Sequence, residues 1–316
     1  MEWRCAGLGW PEGKPVLRWQ GGRDSVLAYG TDIGFRAVGE RRCVGARGNP
    51  CPLRAVVPGR ATQARCPECA RLDRAFSVAA DGVPDDPRTY RVYLAWFGPG
   101  LLKVGITAEE RGPARLLEQG AVAFCWLGRG PLMAARRTEE LLRAALGVPD
   151  RVPYARKREV RGGLPGWAER ERELAGLYGR ATGLDGWAEA LERVPFEAVD
   201  HSGAFGFGAE SGAETGVESG AESGAGPAPD SGARSGTAAV AAAVRELVDG
   251  GAVAGRLVAA AGPDLHLETA GTGVLAVDTR LLVGWRLVGA EAGSGVTVPV
   301  QVLAGDEGGG AQDGLF

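Results

Sequence analysis

Four cysteines, Cys43, Cys51, Cys66 and Cys69, fall within 27 residues in the order C-x7-C-x14-C-x2-C. Two residues between Cys66 and Cys69 let one turn aim both sulfurs at a single ion. Two such converging pairs make the tetrahedral thiolate cage that zinc prefers, so a structural zinc on these four is expected. The first pair is wider than the usual two-to-four spacing, and three other arrangements stay open. Cys66-Pro67-Glu68-Cys69 could act as a redox dithiol, although no strand–CxxC–helix context surrounds it. Cys5 could replace Cys43 or Cys51 as a ligand, or the thiols could be small buried apolar residues. With only His201 and His266 in the chain, multi-His metal sites are excluded and Ser-His-Asp chemistry is disfavoured.

The charge around these cysteines is of one sign. Nine arginines lie between residues 36 and 74, against Glu40, Glu68 and Asp73. The chain's net charge of −3 conceals this asymmetry: residues 1–180 hold 30 Lys and Arg against 20 Asp and Glu, and the remainder 6 against 19. A basic front and an acidic back point to an anionic partner for the front, with nucleic acid the leading choice. Arg41, Arg42, Arg47 and Arg65 are the candidate phosphate contacts of the cysteine segment, because guanidinium forks match phosphate oxygens. A solvated surface rich in arginine is the competing reading. No charged start followed by an apolar run opens the chain, and no uninterrupted apolar stretch approaches about 18 residues. A cytoplasmic location without membrane contact is expected, with the six cysteines reduced or bound to metal.

The elements that must position these residues read as α+β. Residues 1–42 look β-rich, and 43–75 form the cysteine module. Within 88–195, strands are expected at Tyr90–Phe97, Leu101–Ile106 and Ala121–Leu127. Helices are expected at Pro113–Gln119, from Pro131 to Leu146, and near 166–179 and 184–193, with Gly147 as a stop signal. Residues 202–236 are small and acidic and cannot bury a core, so they read as a disordered linker. An Ala-rich helix over 237–249 and several β runs complete a small unit at 237–304, before a disordered tail at 305–316.

Residues of the middle unit resemble a known superfamily. Arg91-Val92-Tyr93-Leu94, Leu102–Thr107, Arg115-Leu116 and a helix bearing Glu139-Glu140 resemble the GIY-YIG nucleases. The cysteine cluster, followed by Val92-Tyr93-Leu94, Leu102–Thr107, Arg115 and Glu118-Gln119-Gly120-Ala121, is similar to the bacterial family DUF2797. The GIY-YIG resemblance implies a three-stranded sheet with flanking helices. It also implies a catalytic tyrosine (Tyr93), an arginine that steadies phosphate charge (Arg115) and a glutamate that holds magnesium or manganese. Glu139 is the better match for that glutamate because it shares a helix face with Ala135 and Leu142, whereas Glu140 turns toward Arg136 and Arg137. Arg91 stands where the first motif has glycine, Lys103 where the second has tyrosine, and the late asparagine has no counterpart. Lys103 is thereby a candidate phosphate contact. The resemblance implies metal-dependent phosphodiester cleavage; the departures leave open a zinc-containing nucleic-acid-binding or adaptor protein without that chemistry.

Overall fold

Short runs of apolar and β-branched residues from both ends of the chain meet in one sheet. The computed structural model describes residues 3–75, 86–208 and 239–303. Strands β1 (Trp3–Gly9), β2 (Val16–Trp19), β3 (Asp24–Val26) and β4 (Asp32–Val38) precede the cysteine segment, which ends in helix α1 (Pro67–Ala75). The middle of the chain supplies β5 (Thr89–Trp96), β6 (Leu102–Ala108), α2 (Ala114–Gln119), β7 (Ala123–Pro131) and α3 (Leu132–Leu146). It continues with α4 (Tyr154–Val160), α5 (Trp167–Thr182), β8 (Glu192–Arg193), β9 (Ala198–Asp200) and α6 (Ser202–Phe205). The last described stretch holds β10 (Val240–Val244), β11 (Ala252–Ala261), β12 (Asp264–Thr269), β13 (Gly273–Asp278), α7 (Thr279–Leu282), β14 (Arg286–Gly289) and β15 (Val300–Val302).

The larger sheet runs β15-β10-β13-β12-β11-β4-β14-β1-β2-β3. Strand β4 therefore sits between two late strands, with Phe35 opposite Val253 and Ala37 opposite Leu287. The smaller sheet runs β6-β5-β7-β8, with β9 on the other half of β7. Its central strand alternates, as a pleated strand must. Val92, Leu94 and Trp96 share the main core with Ala135 and Leu142 of α3 and Leu174 and Leu177 of α5. Tyr93, Ala95 and Phe97 face the other way, into a separate cluster with Leu116 of α2 and Phe124.

The two sheets touch where backbone meets backbone. Gly120, which ends α2 at φ +72°, lies against the turn at Gly262, and a Cβ on either would come within about 3 Å of the other's amide nitrogen. Beside that contact, Arg158 binds Asp264 at 2.7 Å and 3.0 Å and Asp278 at 3.3 Å, and Arg161 reaches Asp264 at 2.8 Å. Burial works to raise the Asp264 carboxyl, but the two arginines outweigh it and hold it down at about 2. His266, buried and 3.3 Å from Arg161, is pushed down to about 3 by burial and that cation.

Three expectations change. Of the helix expected over 237–249, the described residues 239–249 are not helical: Val240–Val244 form a strand parallel to β13 and antiparallel to β15. Alanine's helix preference is weak beside the pairing available there, and Val240 and Val244 fit a pleated, buried surface. Residues 184–193 turn rather than coil, with the Trp187 indole donating to the Ala181 carbonyl at 3.0 Å and β8 at their end. The start of the expected linker is ordered: Ser202–Phe205 is a helical turn whose Phe205, with Phe207, enters the main core. Residues 209–236 of that linker and the tail 305–316 lie outside the described residues.

Candidate functional site

Between Cys43 and Cys51 the seven intervening residues fold back as a tight hairpin. Ala46 and Asn49 exchange backbone hydrogen bonds at 3.0 and 2.9 Å, and the two residues between them, Arg47 and Gly48, both have positive φ. That is the geometry of a type I′ turn, and it explains how so wide a spacing still converges. Gly45 enters the hairpin at φ +85°, where a Cβ would lie 1.9 Å from the Asn49 carbonyl oxygen. The second pair sits at the start of α1, with Pro67 after Cys66 and Cys69 in the first turn. The Cys69 backbone N–H works to lower the Cys66 thiol, but burial and the Cys43 and Cys51 sulfurs leave it raised.

The four sulfurs lie within 4.8 Å of one another, and Cys51 Sγ is 3.9 Å from Cys66 Sγ. Tetrahedral Zn–S bonds of about 2.3 Å place sulfurs about 3.8 Å apart. All four cysteines are buried, and the Cys43 sulfur accepts from the Gly45 and Cys66 amides at 3.4 and 3.2 Å. The Ala55 backbone lowers the Cys51 thiol to about 7, whereas burial and its three sulfur neighbours push Cys69 up to about 12. Such a set cannot hold four thiolates unaided, and a metal ion such as zinc fits it. Cys5 is not part of it: wholly buried in β1, it belongs to the main core, and burial raises its thiol to about 12.

Tyr93, Arg115, Glu139 and Lys103 come close enough to act on one another electrically. Tyr93 is 1% exposed, and its hydroxyl accepts from Gln119 Nε2 at 2.9 Å. Burial raises this phenol and Glu139 adds to the rise, while Gln119 and Arg115 oppose it. Glu139 is half-buried and its carboxyl is raised, by burial first, against the pull of Lys103 and with Asp150 adding. Among the described residues it has no hydrogen-bond or ion-pair partner, whereas Glu140 is exposed and pairs with Arg143 at 3.1 Å. Lys103 Nζ lies 5.5 Å from the Tyr93 ring centre and donates to the Asp150 carbonyl at 3.1 Å. Burial, helped by Arg115, lowers Lys103 to about 8. Arg115 meets Glu118 at 3.4 Å.

Lys103, Arg115 and Gln119 line a cavity of about 720 Å³ between the two sheets. Its other walls are the 150–157 segment, Ala6–Leu8 of β1, the Gly262-Pro263 turn and Thr279–Val283. Five cations face it (Lys103, Arg115, Arg151, Lys157 and Arg280) against two acids, Glu118 and Asp150. Sequence reasoning missed Lys157, Arg151 and Arg280. Lys157 is 3% exposed, donates to the Gln119 carbonyl at 2.8 Å and lies 3.8 Å from the Phe97 ring centre and 4.3 Å from that of Tyr154. Burial first, then Arg161 and Lys103, lowers it to about 6. Scarcity was the one available signal, since only three lysines occur in the chain.

The arginines of the cysteine segment are mostly engaged. Arg41 is 1% exposed and donates to the carbonyls of Val283, Pro58, Ala61 and Arg280, so it clamps the module to α7 and offers no fork to a partner. Burial lowers it to about 10. Arg42 binds Glu40 and the Arg54 carbonyl, and Arg65 the Gly45 carbonyl and Asp73. Arg47 is exposed at the hairpin tip.

Fold and site together define an α+β protein with a four-cysteine centre able to hold a metal ion. Among the described residues no helix is long and apolar enough to cross a membrane. Residues 30–212 match the family model described as a protein of unknown function, DUF2797, and the chain belongs to that family. No curated protein and no solved structure matches it.

Proposed function

We propose that this protein binds nucleic acid, with phosphate held in the cavity between the two sheets. The observation that carries this reading is the charge of that cavity, five cations against two acids. Sugar–phosphate backbones are polymeric anions that such a surplus suits, and their affinity falls steeply with salt because bound counterions are released. Zinc on the four cysteines would be structural: it would hold the hairpin and α1 together, and through Arg41 keep the module seated on α7. Binding of labelled DNA and RNA should weaken with rising salt and fall at least about tenfold in an Arg115→Ala/Arg151→Ala double variant, a loss of about 1.4 kcal/mol. Salt-insensitive binding would count against the assignment.

A second reading, metal-dependent phosphodiester cleavage on a GIY-YIG-like core, is favoured by the mutual influence of Tyr93, Arg115 and Glu139. Glu139 would hold magnesium or manganese, with Asp150 the acid whose field it feels most. One or two carboxylates suffice for an ion that keeps several waters. When bound, the ion would supply charge stabilisation at the phosphate and an acidified water. Arg115, half-exposed at the cavity wall, would face the scissile phosphate, and Lys103 would stand beside it. Tyr93 does not line the cavity, so Gln119 would have to swing aside before the phenol could reach substrate. Nicking with magnesium that is abolished by Glu139→Ala, with binding retained, supports this reading; cleavage that persists in the variant removes it.

A further inference from the structure

Two basic groups of the cavity are recessed and lack acidic partners. Lys157 and Lys103 are 3% and 9% exposed, and among the described residues neither has a carboxylate within ion-pairing distance. Their nearest partners are the carbonyls of Gln119 and Asp150 and the rings of Phe97, Tyr154 and Tyr93. A buried charge without a partner is costly, and burial accordingly lowers Lys103 to about 8 and Lys157 to about 6, so that an anion entering the recess is what would hold both charged. The arginines at this junction do have partners: Asp264 binds Arg158 and Arg161, Asp278 binds Arg280, and Glu118 meets Arg115. The deficit is therefore confined to Lys157 and Lys103.

Shape decides what can make it good. The phosphates of a duplex lie on the outside of a stiff helix, so they reach cations on flat or convex surfaces. Ammonium groups nine-tenths or more covered are met only by a group that enters the recess. The volume of about 720 Å³ lies inside the range of about 300–1,000 Å³ typical of small-molecule sites. Leu8, Val152, Pro153 and Val283 add apolar wall above the charged floor.

Resting on the nucleic-acid reading above, we infer that the cavity takes one phosphorylated nucleoside unit end-on, with its phosphate directed to Lys157 and Lys103, and does not clasp the side of a duplex. That unit has two sources with the same chemistry, the 5′-phosphorylated end of a single strand and a free nucleotide.

The test uses the full chain and four probes: a short 5′-phosphorylated oligothymidylate, its 5′-hydroxyl twin, a blunt duplex with 5′-hydroxyl ends, and thymidine monophosphate as competitor. The phosphorylated strand should bind at least about tenfold more tightly than its twin. Lys157→Met should erase that difference, whatever it does to the weaker binding common to both strands. Arg151→Ala, at the exposed rim, should reduce it severalfold, and keeps the test decisive if Lys157→Met fails to fold. Competition by the monophosphate at concentrations comparable to the strand's own Kd assigns the site to free nucleotides; competition only at far higher concentrations assigns it to strand ends. Equal binding of both strands, or duplex binding as tight as that of the phosphorylated strand, overturns the inference while leaving nucleic-acid binding intact. No binding of any probe removes both.

Discussion

The cysteine centre and the cavity are opposite solutions to one electrostatic problem. At the first, four thiols lie within 4.8 Å of one another and can all become thiolates only with a cation among them. At the second, five basic side chains line a void, and two of them, Lys103 and Lys157, have no acidic partner there. The first is local, built from one hairpin and one helix start. The second is assembled from three distant stretches, near residues 6–8, 103–157 and 262–283. A compact centre can complete itself with an ion and serve as scaffold, whereas an open, composite one stays available to a ligand.

The largest effect expected from breaking this pairing is at the cysteines. Cys66→Ser or Cys69→Ser should abolish metal binding of one ion per chain and lower the melting temperature. Structural zinc in small domains contributes on the order of 10 kcal/mol, and packing of the module on the large sheet will retain part of the fold. Metal content by mass spectrometry and thermal unfolding check both, and full metal occupancy in either variant would remove the four-thiolate assignment. Next in size, Asp264→Asn should cost about 3–5 kcal/mol by removing the buried carboxylate that Arg158 and Arg161 share. Acid should reveal the same pair. The Asp264 carboxyl is held at about 2, below its unfolded value near 4, so its contribution is complete above about pH 4 and is lost as pH falls toward 2. Denaturation midpoints should drop across that window in the native protein and by less in the variant.

A smaller effect concerns protons at the cavity. Lys157 is lowered to about 6 in the empty cavity, and a bound phosphate favours its charged form. Binding above pH 6 must then take up a proton, and affinity should decline from pH 6 to pH 8 by less than tenfold per unit. Calorimetry in buffers of different ionisation enthalpy reads that uptake directly, and zero uptake would show that the phosphate does not meet Lys157. The smallest change is expected at Arg42, whose exposed guanidinium serves Glu40 and the Arg54 carbonyl. Arg42→Ala should alter stability by no more than about 1 kcal/mol and leave phosphate binding within twofold. A loss matching that of Lys157→Met would merge the two regions into one binding surface.

Legibility followed the same division. The Cys66–Cys69 pair and the strand–strand–helix–strand–helix run from Tyr90 to Leu146 could be read directly, since spacing, alternation and stop glycines are local signals. Cys43 and Cys51 needed the Arg47-Gly48 turn to become a pair, and Cys5 could be set aside only once β1 was seen to bury it. Tyr93, Arg115 and Glu139 were visible as types, but the burial that hides the phenol behind Gln119 was not. Lys157 and Arg280 were illegible because the neighbours that give them meaning, Phe97 and Gln119 for the first and Tyr154 for the second, lie on other elements of the chain. The strand at Val240–Val244 was misread because its alanines carry a helix preference that a parallel partner overrides.

The placement of β4 has a consequence in time. Its two neighbours, β11 and β14, lie more than two hundred residues further along the chain. During synthesis one edge of Asp32–Val38 must wait for Ala252–Ala261 to emerge, and the other for Arg286–Gly289. Contacts of such sequence separation are slow to form and leave strands open to wrong pairing. The smaller sheet can close on itself well before then, so this protein matures from its middle outward, and its two ends are the last parts to find each other.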